Sequence, residues 1–195
     1  MIRLFTALCK SKLENLPDET IFRDATDSFH CHGEKCPRCG ATGQLSPYGG
    51  YSRGFISCKD GRLTEELIWV YRFECGSCGA THALLPDVVI PYSPYSLRFK
   101  LTVLLAYLER ATTVAAVCES FGIAVSTLYE WKKTLLHHKD LLLGVLMSRK
   151  EPARAFLSGL FVSGNLSERL RDFFWLHGIS FMQNQPMPAA RSRPP

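Results

Sequence analysis

The spacing of apolar and polar residues changes once along the chain, near residue 96. Before that point the period is close to two. Residues 51–58 are rich in aromatic and β-branched side chains and follow Gly49-Gly50, the composition of a strand. Lys59-Asp60-Gly61 is a hairpin turn signal, and residues 67–74 form a second strand-like run. Residues 81–85 read as a closing strand stopped by Pro86. From Ser96 the apolar spacing becomes helical. Ser96 predicts an N-cap for a helix ending near 110, with Leu97, Leu101, Leu104, Leu105 and Leu108 on its apolar face. Further helical patterns cover 114–121, 126–138, 140–149, 152–161 and 167–177.

Punctuation residues divide these elements. Residues 1–35 have the weakest pattern and read as a lead-in, with a short helix opening at Pro17-Asp18-Glu19. Pro86, Pro91 and Pro94, with two tyrosines between them, predict a semi-rigid linker over 86–95. Residues 183–195 hold four prolines plus Arg191 and Arg193 and are expected to be a disordered basic tail. The expected fold class is α+β, a small N-terminal β ribbon over 36–85 followed by an all-helical region. Within that region 96–140 is the first helical unit and 141–182 the C-terminal helices.

Two near-identical hexapeptides carry the most specific chemistry. Cys36-Pro37-Arg38-Cys39-Gly40-Ala41 and Cys75-Gly76-Ser77-Cys78-Gly79-Ala80 both continue with threonine, Thr42 and Thr81. Paired C-x-x-C turns predict a four-thiolate zinc site, because a tight turn with Gly after the second Cys aims two sulfurs at one ion. A closed, all-thiolate site of this kind is structural and leaves no position for a substrate water. The alternatives are two redox dithiols or four unrelated buried cysteines. His30, Cys31 and His32 precede the first knuckle and are read as a polar lead-in, since four better-spaced thiolates already complete a site. A ribbon this small needs its metal to fold.

The stretch 113–133 is the second constellation. Thr113 can cap a short helix with Val114, Val117, Cys118 and Phe121 at helical spacing. Gly122 supplies a left-handed turn residue, and Ser126 is expected to cap a second helix with Leu128, Trp131 and Leu135 facing inward. Two short helices around a Gly turn, with the small Cys118 at their crossing, predict a helix-turn-helix. Its second helix would enter a DNA major groove by its N-terminal end. Ser126, Thr127, Tyr129, Glu130, Lys132 and Lys133 are then the candidate DNA contacts. The competing reading is an ordinary helical hairpin in which Leu128 and Trp131 are only core.

The C-P-x-C-G and C-x-x-C-G ribbon, the Pro-Tyr-Ser-Pro-Tyr-Ser segment and the Ser-Thr-Leu-Tyr-Glu-Trp-Lys-Lys helix together resemble a family. They are similar to the small zinc-ribbon, helix-turn-helix, transposase-like proteins of bacterial insertion elements, a domain of unknown function. The resemblance implies binding to element DNA, with Cys36, Cys39, Cys75 and Cys78 holding one structural zinc.

Composition narrows the field further. Hydrophobic content of 46% with 21% charged residues belongs to a folded chain, and the net charge of +5 leans towards an acidic partner. The N-terminal residues lack the apolar core of a signal peptide, and Lys10, Lys12 and Glu14 follow closely. The unmatched thiols Cys9, Cys31, Cys58 and Cys118 fit a reducing cytoplasm, with nucleoid association following from the DNA reading. The acids Asp140, Glu151, Glu168 and Asp172 fall on helical or turn patterns and make a poor two-metal nuclease triad. Asp140 and Glu151 read as helix-start acids, and His137-His138 as a surface pair. The expected function is sequence-specific duplex DNA binding without catalysis. The apolar faces at Leu157, Leu160, Phe161, Leu170, Phe173, Phe174 and Leu176 have two readings, a surface for a separate recombinase or a second copy of the chain, or packing on the DNA-binding unit. A transcriptional regulator and a protein-binding adaptor are the alternatives.

Overall fold

The computed structural model describes residues 1–5, 8, 16–59, 62–162 and 166–184. Cys9, Lys10, Lys12, Glu14, Asp60, Gly61 and the residues from 185 onward lie outside them. In chain order the elements are β1 (Ile2–Leu4), α1 (Asp18–Asp27), a 3₁₀ turn (Cys31–Gly33), β2 (Leu45–Lys59), β3 (Arg62–Cys75) and β4 (Thr81–Pro86). The helices α2 (Leu97–Glu109), α3 (Val114–Ser120), α4 (Val125–Leu143), α5 (Val145–Lys150), α6 (Ala153–Val162) and α7 (Leu166–His177) follow. The architecture is α+β.

The four strands form one sheet in the order β1-β4-β3-β2. β1 runs parallel to β4, and the other neighbours are antiparallel. The β2–β3 ladder runs from Leu45 opposite Cys75 to Lys59 opposite Arg62, so both strands are far longer than the apolar runs that signal them. Its register shifts between Pro47 and Gly50, where proline has no N–H to give the ladder. Along β3 the period-two pattern holds: Ile68 and Val70 are buried, while Leu67, Trp69 and Tyr71 are exposed.

One large core joins sheet and helices. Ile21, Phe22 and Ala25 of α1 pack with Phe55, Ile68, Val70 and the buried faces of α2, α4, α6 and α7. The lead-in is therefore not peripheral: β1 extends the sheet, and Arg98 ties α1 to the core. Its Nε lies 2.9 Å from the buried Asp18 carboxylate, and its other nitrogens donate to Leu16 O and Cys58 O at 3.0 and 3.1 Å.

The segment expected as a linker is packed instead. Val88, Val89 and Ile90 are completely or almost completely buried. Ile56 N–H donates to Pro94 O, Ser96 N–H to Ile56 O and Leu97 N–H to Val88 O, at 2.8 to 2.9 Å. The prolines mark an extended path, but the apolar triplet between them decides its location, since leaving it in water forfeits several kcal/mol of transfer energy, at about 1.5–3 kcal/mol per large side chain.

The helical half follows the expected order with three changes. Ser96 Oγ accepts from Phe99 N–H at 3.0 Å, and Thr113 Oγ1 accepts from Ala116 N–H at 3.2 Å, as N-caps do. Ser126, by contrast, is not a cap: Ala124 occupies the N-cap position, without a side-chain bond, and Ser126 lies in the first turn. The expected break near 138 is also absent. α4 runs on to Leu143 because His138 and Lys139 are buried and bonded, to Met182 N–H at 3.0 Å and Ser148 O at 2.6 Å. Asp140 thus sits in the last turn of α4, accepting from Ser148 Oγ, rather than at a helix start, and Glu151 is the C-cap of α5. Finally, Gln183 is buried and accepts from Ser180 N–H at 3.0 Å, so the packed chain extends into the stretch assigned to the tail.

Candidate functional site

Each cysteine pair sits on the same backbone turn. Gly40 N–H donates to Cys36 O at 2.9 Å, and Cys36 N–H to Ala41 O at 2.9 Å. Gly79 N–H donates to Cys75 O at 2.8 Å, and Cys75 N–H to Ala80 O at 3.0 Å. Both glycines have positive φ, 75° and 63°, a conformation a side chain would strain. The second knuckle begins at the end of β3, and Gly76 N–H donates to Gln44 O at 2.8 Å, which sets it against the first.

This juxtaposition brings the four sulfurs together. Cys36 Sγ lies 3.8 Å from Cys78 Sγ, and Cys39 Sγ 3.7 Å from Cys75 Sγ. All four lie within 4.8 Å of one another, so the group could hold a metal ion. Cys36 and Cys75 are buried beside Phe73, Leu84 and Ile2, whereas Cys39 is exposed. Cys31 is buried in the same small cluster, but neither it nor His30 and His32 belongs to the sulfur group.

The electrostatics reflect that crowding. Burial pushes the Cys36 thiol up, but N–H groups of Cys39 and Arg38 and the neighbouring thiols outweigh it and leave it at about 7. The Ala41 N–H draws Cys39 down, while desolvation and bonds with Cys78, Cys36 and Cys75 push it up to about 12. Like charges this close suppress one another unless a cation sits among them.

Sequence reasoning missed His82. Its Nε2 lies 3.3 Å from Cys36 Sγ, and its Nδ1 lies 3.1 Å from the Met1 amino nitrogen. Burial, then the neighbouring ammonium and Arg38, push its pKa down to about 4, so the ring is neutral. The ring thus bridges the Met1 amino group and the Cys36 sulfur, and a proton on Nε2 would orient that sulfur as partners of metal ligands do. No spacing rule signals it; only the β3–β4 pairing, with His82 opposite Phe73, brings it there.

The second set of candidate residues lies on α3 and α4. Val117, Cys118, Ile123, Leu128 and Trp131 are buried together, and Ile123 N–H donates to Cys118 O at 3.0 Å across the turn. Gly122 in that turn has φ 60°. Ser126, Tyr129, Glu130 and Lys133 are exposed, and Thr127 is half-buried. Lys132 is turned back: its Nζ donates to Tyr107 Oη at 3.0 Å and sits over the rings of Tyr107 and Tyr129.

The downstream acids and histidines are dispersed among other partners. Arg171 pairs with Glu168 at 3.3 Å and with Asp172 at 3.4 Å on an exposed face. His137 is exposed, but His138 is buried among Phe173 and Phe181 and is no surface residue. Leu157, Leu160, Leu170 and Phe173 are core, leaving Trp175 and Leu176 of α7 exposed. No helix among the described residues is long and apolar enough to cross a membrane.

Over residues 36–131 the chain is similar to a protein family described as a domain of unknown function (DUF6431). The matched stretch runs from the first knuckle cysteine to Trp131, and so includes both cysteine pairs, α2, α3 and the start of α4. No curated protein and no solved structure matches the chain.

Proposed function

We propose that the protein binds duplex DNA through a zinc-stabilised scaffold, with α3 and α4 acting as a helix-turn-helix. The carrying observation is the two-sided character of the start of α4. Leu128 and Trp131 close onto Val117, Cys118 and Ile123, while Ser126, Tyr129, Glu130 and Lys133 are exposed and Thr127 is half-buried at the edge of the packed face. That disposition suits insertion of a helix N-terminus into the major groove.

Zinc is the metal the donor set favours. Four thiolates at Zn–S distances near 2.3 Å make a tetrahedron with edges of about 3.8 Å. The Cys36–Cys78 and Cys39–Cys75 separations, 3.8 and 3.7 Å, match that edge. Bound there, zinc would be held by Cys36, Cys39, Cys75 and Cys78 and would cross-link the two ends of the β2–β3 hairpin region. Its role is structural.

The resemblance to insertion-element proteins favours element DNA as the target, with strand transfer left to a separate recombinase. The exposed Trp175 and Leu176 on α7, with Leu146 on α5, offer apolar surface for that partner or for a second copy.

The test is selection of bound duplexes from a random pool, followed by anisotropy titrations at several salt concentrations. Lys133→Ala should weaken all sequences alike and lower the salt slope by about 1. Thr127→Ala or Tyr129→Ala should instead change sequence preference, by roughly 1–3 kcal/mol at the contacted base pair. A protein that selects no sequence and shows no salt-dependent affinity is an adaptor, and the proposal fails.

A further inference from the structure

A cavity of about 600 Å³ lies between the sheet and residues 91–94. Tyr51 and Arg53 of β2, Arg72 of β3 and Thr81 of β4 line it, with Tyr92 and Ser93 on the loop. Its lining contains two arginines and two tyrosines but no Asp or Glu. Arg53 Nη2 donates to Ile90 O at 2.7 Å and to Ser93 O, and the guanidinium also bonds the Tyr51 side chain. Arg72 Nη2 donates to Thr81 Oγ1 at 2.5 Å and its Cζ lies 5.6 Å from the Tyr48 ring. Among the described residues neither arginine has a carboxylate partner. Partly desolvated cations without a counter-charge are costly, and an anionic ligand removes that cost.

The ladder sets the spacing of these groups. Tyr51 is opposite Val70, Arg53 is opposite Ile68, and Arg72 lies two residues beyond Val70. The arginines are therefore about four strand residues apart, roughly 13 Å along the sheet, with Tyr51 between them. That separation brackets an extended ligand rather than a single small ion. Tyr92 is 68% exposed and held at φ 60°, in the left-handed region that non-glycine residues seldom occupy. Such strain persists where surrounding bonds over-determine it, here Pro91, Pro94 and the Arg53 bonds, and it sets a second aromatic ring at the cavity rim.

We propose that this cavity binds a nucleoside phosphate, with Arg72 taking the phosphate charge at one end, Tyr51 and Tyr92 stacking on the base, and Arg53 holding the loop that carries Tyr92. The ligand is one nucleotide of a single strand or a free nucleotide. The strand source rests on the DNA reading above and adds a single-strand contact to it. Aromatic stacking with a basic groove is the general chemistry of such sites.

The experiment titrates zinc-loaded full-length protein with dye-labelled oligo-dT, with a duplex selected as above, with 5′-dTMP and with inorganic phosphate. Oligo-dT should bind, and Arg72→Gln should weaken it about tenfold, the loss of one charge-assisted contact. Tyr51→Ala should weaken it roughly 5- to 100-fold. Duplex affinity should change less than about twofold in both, whereas Lys133→Ala should show the reverse pattern. Arg72→Lys, which keeps the charge, should recover part of the loss and exclude misfolding as its cause. Binding of 5′-dTMP without oligo-dT assigns a free nucleotide and still supports the site. The proposal is overturned if neither binds, if Arg72→Gln and Tyr51→Ala leave affinity unchanged, or if inorganic phosphate binds as tightly as 5′-dTMP. Retained duplex binding in those cases leaves the DNA reading standing. Nucleotide binding with no duplex binding removes that reading alone.

Discussion

Replacing Asp87 with asparagine tests the physical account of the core most sharply. Asp87 is 1% exposed and lies in the segment whose prolines suggest a linker. Its Oδ2 accepts from Ser167 Oγ at 2.6 Å and from Leu8 N–H at 3.4 Å, while Oδ1 has no partner. Burial pushes its pKa up from 3.8 to about 6, against the opposing pull of Ser167 and of Arg3. The folded state therefore binds this proton more tightly than the unfolded state. The associated stability is fully present below pH 3.8 and is lost as pH rises through about 6. A shift of about two units corresponds to ~3 kcal/mol. Asp87→Asn keeps the acceptor for Ser167 and cannot ionise. The attraction of Arg3, which donates to Val89 O at 2.7 Å, is already contained in the Asp87 pKa of about 6, so it is not subtracted again. Urea denaturation of wild type and variant, each at a series of pH values from 3.5 to 7.5, measures the difference directly. Metal release at low pH acts on both proteins and cancels. The variant-minus-wild-type stability should shift towards the variant by roughly 2–3 kcal/mol across the series. A difference that stays constant within about 0.5 kcal/mol would mean that Arg3 and the hydrogen bonds fully offset desolvation at this carboxylate, and one that moves towards wild type with rising pH would mean that they outweigh it; either result would refute the reasoning.

Three further outcomes are expected. Purified protein should carry one zinc per chain, and Cys36→Ser with Cys75→Ser should abolish it; metal analysis decides, and retention of zinc in the double variant would sink the assignment. Chelation at neutral pH should loosen the two knuckles and the adjoining ends of β2 and β3, seen as a partial loss of near-ultraviolet circular dichroism, while Phe55, Ile68 and Val70 keep the rest of the sheet in the common core. Ser96→Ala removes both the cap to Phe99 N–H and the donor to buried Asp18 Oδ2, and should cost about 2–4 kcal/mol by denaturant midpoint, where a lone exposed cap costs about 1.

Local chemistry accounts for what could be read directly from residue order. The knuckles are legible because each needs only a six-residue turn, and the positive φ of Gly40 and Gly79 is written in the residue type. The strands of the hairpin, the caps at Ser96 and Thr113, and the buried set Val117, Cys118, Leu128 and Trp131 are legible for the same reason. Period and capping act within a few residues. Where two local signals competed, the chain alone misled. The prolines of 86–95 signal an extended linker, whereas burial of Val88, Val89 and Ile90 places that segment in the core. The Ser126 side chain suggested a cap that the backbone made at Ala124.

Everything that depends on distant partners was decided only by tertiary structure. His82 meets Cys36 because β4 pairs with β3, and Lys139 and His138 carry α4 past its expected end because Ser148 and Met182 return to meet them. The cavity of Arg53, Arg72 and Tyr92 exists because a loop far along the chain folds over the sheet. Residue order specifies which groups a turn or a helix face will present. Which of them become neighbours depends on how the apolar faces bury against one another, a property of the whole chain that no local window contains.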